Sequence, residues 1–138
     1  MAERDYSATP LWKKLGIKGG SLVTIAGAPA HFRSLLQPLP AGVEVSMKPG
    51  PNADVIVAFE TTERGLLKRV AALAKKLTPA GGLWIAYPKK TSKIPTDLTF
   101  ETVQATGLDA GLVDNKSCAI DPDWSAVRFV YRLKDRPK

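Results

Sequence analysis

The chain has one histidine and one cysteine, so few residues are available for metal or nucleophilic chemistry. His31 stands near the start of a predicted helix, where it is placed to act as a general base, although a structural or exposed role fits it better. Cys118 lies on a predicted strand and is typical of a small buried residue rather than a nucleophile. One residue of each type cannot complete a zinc site. The sequence therefore predicts no metal site and no catalytic residue.

Two aspartates, Asp121 and Asp123, have the spacing of a carboxylate pair. They flank Pro122 between two predicted strands, and Asp and Pro are typical turn residues. A role in the turn is therefore the better interpretation. The sequence contains neither a phosphate-binding P-loop nor a Gly-x-Ser-x-Gly nucleophile elbow.

Lysines that follow two predicted strands give a stronger signal. Lys48 follows one strand, and Lys89, Lys90 and Lys93 follow another. Ligands of open α/β sheets bind beyond the carboxyl ends of the strands, and a helix starting near Ala30 would add its N-terminal dipole there. We therefore expect an anion, a phosphate or an acidic peptide to bind at this edge. The predicted ligand-binding residues are Gly27, Ala28, His31, Lys48, Tyr87, Lys89, Lys90 and Lys93.

A second basic surface is predicted on the longest helix, at about residues 63–77. Its apolar residues form one buried stripe. Arg64, Lys68 and Lys75 form an outer stripe with Arg69 and Lys76 beside it, and no acid follows Glu63 in the helix. Like charges four residues apart cost about a few tenths of a kcal/mol, so helix stability does not explain the pattern. A solvated face is the main interpretation and nucleic-acid binding the alternative. Single-strand binders usually add stacking aromatic rings, and this helix has none.

The net charge of +7 is unevenly distributed. Residues 1–93 carry 14 bases and 6 acids, residues 94–127 carry 1 base and 6 acids, and residues 128–138 carry 5 bases and 1 acid. The basic surplus either attracts anionic partners or serves solubility. A polar N-terminus, a single cysteine and the lack of an apolar run near ~18 residues predict a cytoplasmic protein. The length predicts a single domain over residues 1–138.

The order of apolar segments predicts an α/β fold with a mostly parallel sheet and an antiparallel hairpin at the C-terminus. The predicted strands are 22–26, 43–47, 54–59, 83–87, 116–120 and 126–133. The predicted helices are 9–16, a short stretch ending at Leu36, 63–77 and 99–105, the last of them ended by Gly107. We expect a loose lead-in at 1–8 and a frayed tail at 135–138.

The connection between the second and third strands, residues 48–53, is short. Parallel neighbours normally need a crossover of about a dozen residues. Six extended residues reach about 20 Å, so an extended return beneath the sheet is feasible but tight. A hairpin through residues 49–52 is the alternative, and the extended return is favoured.

Residues 77–88 hold the centre of the predicted sheet. We expect the long helix to end at Leu77 and Pro79 to stop it. Gly81 or Gly82 then takes a positive φ where the chain reverses, and an apolar strand follows.

Two stretches resemble class I S-adenosylmethionine-dependent methyltransferases. Residues 77–85 (LTPAGGLWI) resemble the helix-Pro-Gly-Gly-strand passage of that family, and residues 53–57 (ADVIV) resemble the strand before it. The C-terminal hairpin also matches the ending of that fold. The resemblance implies a reduced Rossmann-like, three-layer sandwich.

A second resemblance covers nearly the whole chain. The segments DYS (5–7), TPL (9–11), KKLGIK (13–18), DWS (123–125) and RFVYR (128–132) are similar to a family of small bacterial proteins known only as a domain of unknown function. This resemblance implies no particular activity.

The methyltransferase resemblance also implies a glycine-rich turn after the first strand and an acid after the second to hold the cofactor ribose. Here the turn has one glycine, Gly27, with Pro29 beside it, and the second position falls near Lys48. We therefore expect no cofactor and a non-catalytic binding or regulatory module for an anionic ligand or an acidic partner. A small S-adenosylmethionine- or nucleotide-binding enzyme is the alternative.

Overall fold

The structure is a computed structural model that describes residues 9–48 and 50–135. Within those residues, six strands form one sheet with helices on both faces. The strands are β1 Leu22–Ala26, β2 Glu44–Ser46, β3 Ala53–Phe59, β4 Leu77–Pro88, β5 Leu112–Ala119 and β6 Trp124–Tyr131. The helices are α1 Leu11–Lys14, α2 Phe32–Leu36, α3 Glu63–Ala74 and α4 Phe100–Asp109, and a 3-10 turn, Leu133–Asp135, follows β6. The predicted lead-in lies outside the described residues, as does most of the predicted tail.

The sheet order is β2-β1-β3-β4-β6-β5, with the first four strands parallel. Strand β6 runs antiparallel to both β4 and β5, which confirms the predicted hairpin. Strands β2 and β3 lie on opposite sides of β1, so Val23 aligns with Val45 on one side and with Val55 on the other. The extended return is therefore confirmed and the hairpin alternative is wrong. Buried β1 gains backbone hydrogen-bond partners on both sides in this arrangement.

Two buried clusters lie on the two faces of the sheet. Helices α3 and α4 cover one face with Leu66, Val70 and Val103, which pack on alternate residues of the central strands. Short helices α1 and α2 cover part of the other face, where Leu15 and Phe32 join the cluster around Trp84. The three-layer arrangement is thus present, with one thick and one thin helical layer.

The longest helix, α3, begins after a capping threonine, Thr62, and ends earlier than predicted. The Thr62 hydroxyl accepts a hydrogen bond from Gly65 N at 3.0 Å, as expected of an N-cap. The helix ends at Ala74 rather than at Leu77, because Leu77 already pairs with Ala53 in the sheet. None of the described helices has the length and apolar character needed to cross a bilayer.

Strand β4 includes the Pro-Gly-Gly segment that was predicted to precede it. The register with β3 shifts between Ala53 and Val55, so the segment is accommodated as an irregularity within the strand. Neither Gly81 nor Gly82 has a positive φ, and that prediction is wrong. A Cβ at Gly81 would lie 3.0 Å from the Ala53 carbonyl oxygen, and one at Gly82 would overlap the Arg128 guanidinium. These glycines permit close approach rather than a reversal.

Helix α4 runs through the glycine that was predicted to end it. Thr99 caps the helix by accepting a hydrogen bond from Thr102 N, and the helix continues to Asp109. Gly107 lies under the Phe129 ring, which fills the space that a side chain would need. The chain turns at Gly111, with φ of +89°, and β5 begins at Leu112, four residues before the predicted start.

Candidate functional site

The turn after β1 lies at the carboxyl edge of the sheet, where open α/β folds bind nucleotides. Gly27 has φ of +69°, and a Cβ there would lie 3.0 Å from the Phe59 carbonyl oxygen and 3.5 Å from the Arg69 guanidinium. Pro29 lacks a backbone N–H, and its carbonyl accepts a hydrogen bond from Phe32 N at 3.0 Å. The turn is thus packed against β3 and against a side chain of α3.

Glu60 and Arg69 form an ion pair at the end of β3. The Glu60 side chain is 4% exposed, and its Oε2 lies 2.9 Å from Arg69 Nε. Burial raises the pKa of the Glu60 carboxyl, and the Arg69 charge lowers it in part. Arg69 therefore reaches from α3 to the space between the ends of β1 and β3. From there the chain continues in opposite directions along the sheet, from β1 to β2 and from β3 to β4.

Three aromatic rings fill the same edge. The Phe32 and Phe59 centroids lie 4.8 Å apart, and those of Phe59 and Trp124 lie 5.0 Å apart, both pairs edge to face. All three residues are buried. They join α2, β3 and the start of β6 into one apolar contact.

The end of β2 lacks the acid that the methyltransferase resemblance implies. Residues 47–52 read MKPGPN and contain no carboxylate. The Ser46 hydroxyl accepts a hydrogen bond from Lys48 N at 3.1 Å and lies 2.9 Å from the Lys48 carbonyl oxygen. The residues that follow β1 and β2 therefore do not fit an adenosyl cofactor. The turn after β1 has a single glycine and packs against an arginine, and three aromatic rings fill the adjacent edge of the sheet. The end of β2 offers no carboxylate to the cofactor ribose.

His31 contacts the turn between β5 and β6. Its Nε2 lies 2.8 Å from Asp121 Oδ2, and a carboxylate can only accept, so Nε2 carries the proton. The other oxygen, Oδ1, accepts from the backbone N–H groups of Asp123 and Trp124, which confirms the turn role of Asp121. Within the described ranges, no three His, Cys, Asp or Glu side chains are grouped as metal ligands would be.

A cavity of about 640 Å³ opens at the carboxyl end of β4. Tyr87, Lys89 and Lys90 line it on one side, and Phe100 of α4 lines it on the other. Glu101 is the acid in its wall. Burial and the nearby Glu101 charge raise the pKa of Tyr87, so its phenol remains a hydrogen-bond donor at neutral pH.

The loop that carries these lysines is held at both ends. Lys89 N donates to the Asp123 carbonyl at 2.8 Å, and Ser92 N donates to the Lys89 carbonyl at 3.0 Å. Farther along, the Thr96 hydroxyl donates to the Thr61 carbonyl at 2.6 Å. The backbone beside the cavity is therefore fixed before any ligand arrives.

A second cavity, of about 810 Å³, adjoins the first and shares Tyr87, Lys89, Phe100 and Ser125 with it. Its lining comes from both faces of the sheet, because Trp84 and Cys118 belong to the cluster on the short-helix side whereas Tyr87 packs on the cluster under α3 and α4. Its basic side chains are Lys13, Lys14, Lys89 and Lys116. Cys118 also lines it, and burial raises the pKa of this thiol to about 11, against the lowering effect of the Lys14 and Lys116 charges.

The predicted site residues do not form one site. Tyr87, Lys89 and Lys90 meet at the first cavity, whereas Lys93 is exposed on the same loop and does not line that cavity. Gly27 packs against β3 and His31 pairs with Asp121, while Ala28 packs on the cluster around Trp84. Lys48 lines a separate cavity of about 220 Å³ beside β1 and β2. The expected helix dipole is weak, because α2 has only five residues.

Several residues of this edge were not predicted from the sequence. Arg69 was predicted on the solvated face of the long helix, but it pairs with Glu60. The available signal was Glu60 itself, an acid directly after the apolar run 55–59. Lys116 and Ser125 lie on the hairpin, and only the pairing of β6 with β4 brings them to the second cavity.

Comparison with known proteins shows the fold of the chain. No protein-family model matches it, and no curated protein matches it. Among solved structures, it is similar to an S-adenosylmethionine-dependent methyltransferase from Aquifex aeolicus, with 16% identity, 86% of each chain covered and a TM-score of 0.64.

Two further solved structures give the same result. Magnesium protoporphyrin IX methyltransferase from Synechocystis PCC 6803, with bound SAH, is 11% identical over 95% of this chain and 83% of its own, with a TM-score of 0.63. Ribosomal protein L11 methylase from Lactobacillus delbrueckii subsp. bulgaricus is 10% identical over 87% and 74%, with a TM-score of 0.61. The class I methyltransferase-like fold is therefore confirmed, and at these identities the likeness concerns the fold alone.

Proposed function

We propose that this chain is a non-catalytic binding module that uses a methyltransferase-like scaffold to hold an anionic ligand at the cavity beside the β4 loop. One observation carries the proposal: Lys89 and Lys90 line a cavity of about 640 Å³ together with Tyr87. The two ammonium groups supply charge, and the phenol and neighbouring hydroxyls supply hydrogen bonds. The fixed loop backbone lowers the entropy cost of binding.

The alternative, an enzyme that uses S-adenosylmethionine, is supported by the fold of the similar structures. The local residues oppose it. Arg69 stands against the Gly27 turn, the aromatic rings of Phe32, Phe59 and Trp124 fill the adjacent edge, and the end of β2 offers no carboxylate to a ribose. These features favour binding elsewhere, at the lysine loop.

Calorimetric titration with inorganic tripolyphosphate and with S-adenosylmethionine tests the proposal. We expect tripolyphosphate to bind and the binding to weaken at high salt. The triple variant Lys89→Glu, Lys90→Glu, Lys93→Glu should lose it, because two cations of the cavity wall and a third on the same loop become acids. Binding of S-adenosylmethionine by the natural chain would support the enzyme alternative and overturn the proposal.

The matched control reverses the same number of charges on the outer face of α3. The variant Arg64→Glu, Lys68→Glu, Lys75→Glu has the same net charge as the loop variant, and all three side chains are exposed. It should bind tripolyphosphate nearly as well as the natural chain. Equal losses in both variants would mean that only net charge matters, and a loss confined to the helix variant would assign binding to α3.

A further inference from the structure

We infer that the ligand is a single-stranded nucleic acid with stacked bases, which binds along a basic groove from the lysine loop to the basic side chains on the short-helix side of β5 and β6. This inference rests on the proposed function and extends it beyond the first cavity. The first and second cavities share four wall residues, and a third cavity of about 480 Å³ shares Lys14 and Lys116 with the second. The three cavities therefore form one continuous groove.

The groove is strongly basic along its length. Its cations are Lys90, Lys89, Lys13, Lys14, Lys116, Lys18 and Arg128. Its acids are Glu101 in the first cavity and Asp54 in the third, and Asp54 Oδ2 already accepts a hydrogen bond from Leu22 N at 2.9 Å. Among the described residues that line the middle cavity, none carries a carboxylate. Such a charge distribution suits a chain of phosphates better than a single anion.

The length of the groove also favours a polymer. It follows β4 and β6 from the pair Tyr87 and Ser125 past the pair Trp84 and Arg128 to Gly81. The six residue steps from Tyr87 to Gly81 span about 20 Å at roughly 3.3 Å each. Stacked nucleotides rise about 3.4 Å each along one strand, so about six nucleotides would fill it.

Two aromatic rings distinguish nucleic acid from other polyanions. Tyr87 is half-buried and Phe100 is 37% exposed, and both line the wall that the first two cavities share. Bases stack on such rings, whereas polyphosphate and acidic peptides would use the charge alone. The outer face of α3 carries cations with exposed Leu67 among them and has no ring. The groove therefore fits a single strand better than that helix does.

Fluorescence anisotropy with labelled oligothymidylates of one, three, six and twelve nucleotides tests the inference at several salt concentrations. We expect affinity to rise steeply up to about six nucleotides and then to level off. Phe100→Leu, which removes an exposed ring but keeps an apolar side chain, should weaken the hexamer about 5- to 150-fold, the equivalent of one lost stack. Tripolyphosphate binding should weaken much less than hexamer binding in that variant, because an inorganic phosphate chain does not stack on the ring.

The double variant Lys13→Glu, Lys116→Glu tests the groove outside the lysine loop. It should weaken the hexamer and reduce the salt dependence of binding while sparing tripolyphosphate, whereas the control Arg64→Glu, Lys68→Glu should leave both unchanged. Equal affinity for one and six nucleotides, or no effect of Lys13→Glu, Lys116→Glu, would overturn the inference and leave the proposed function standing. A third contrary result is polyglutamate binding as tightly as the hexamer, with the same affinity for the natural chain and for Phe100→Leu. That result would also overturn the inference, in favour of an acidic protein as the ligand. Failure of both tripolyphosphate and hexamer to bind would overturn the proposed function as well.

Discussion

The Glu60 carboxyl group is buried, and Arg69 lies beside it. Its raised pKa means that the folded chain holds the proton more tightly than the unfolded chain, whose value is near 4.5. Stability from this group is therefore greatest below pH 4.5 and falls as the pH rises through the folded-state value. Glu60→Gln cannot titrate, so it should lack this decline when the free energy of unfolding is measured by urea denaturation from pH 4 to 8.

Arg69 provides the control for that pH dependence, because its charge is what lowers the pKa of Glu60. Arg69→Met should raise the pKa of Glu60 further and extend the loss of stability to higher pH. In the background of Glu60→Gln, the same arginine substitution should leave the pH profile unchanged. Parallel profiles for the natural chain and Glu60→Gln would contradict the assignment of a raised pKa to this residue.

Helix α4 shows how an element can depend on the absence of a side chain. Alanine favours a helix over glycine by about 1 kcal/mol, so propensity alone would make Gly107→Ala stabilising. The Phe129 ring lies in the space of the new methyl group, however, and Phe129 is itself fully buried. We expect Gly107→Ala to lower the free energy of unfolding by about 1–3 kcal/mol in chemical denaturation.

Ala105→Gly in the same helix separates packing from propensity. Ala105 is exposed, so its replacement by glycine should cost about 1 kcal/mol through propensity alone. Both substitutions should then destabilise the chain, although one replaces glycine with alanine and the other replaces alanine with glycine. A stabilising Gly107→Ala would mean that Phe129 repacks freely.

The same helix illustrates which features of an element the sequence reveals. Apolar residues at helical spacing predicted the positions of α3 and α4, since this signal is local in the chain. The ends were predicted less well: α4 continues past Gly107 because a residue 22 positions later packs on it. Likewise, Gly81 and Gly82 were predicted to lie where the chain reverses, but they lie within β4, where residues of other strands approach them closely.

At the scale of the whole molecule, the mostly parallel sheet and its antiparallel C-terminal hairpin could be predicted from the order of elements, and the methyltransferase resemblance implied the three layers, whereas the order of the strands comes from the structure. The candidate site could be predicted only in part. Tyr87, Lys89 and Lys90 are close in sequence and were predicted together, whereas Lys13 and Lys116 meet them only through the fold. The pairing of Arg69 with Glu60 likewise depends on the packing of α3 against β3.

A buried hydrogen bond attaches the end of α1 to the sheet. Trp84 is 1% exposed, and its indole N–H donates to the Leu15 carbonyl at 2.9 Å. Trp84→Phe would leave that carbonyl without its partner, at a cost of about 1–3 kcal/mol. Native-state hydrogen exchange should then show lost protection in residues 11–17, while β3 and β4 remain protected.

Trp12 supplies a matched control for this loss, because its indole Nε1 is buried and has no hydrogen-bond partner among the described residues. Trp12→Phe removes a similar volume without breaking such a bond, so the difference between the two variants isolates the contribution of the Trp84 contact. An equal loss of protection in both would show that ring volume alone holds α1 in place.

Since α1 carries Lys13 and Lys14 into the wall of the second cavity, its detachment by Trp84→Phe should also weaken hexamer binding more than tripolyphosphate binding. Stability of the thin layer and the shape of the basic groove would then depend on the same indole.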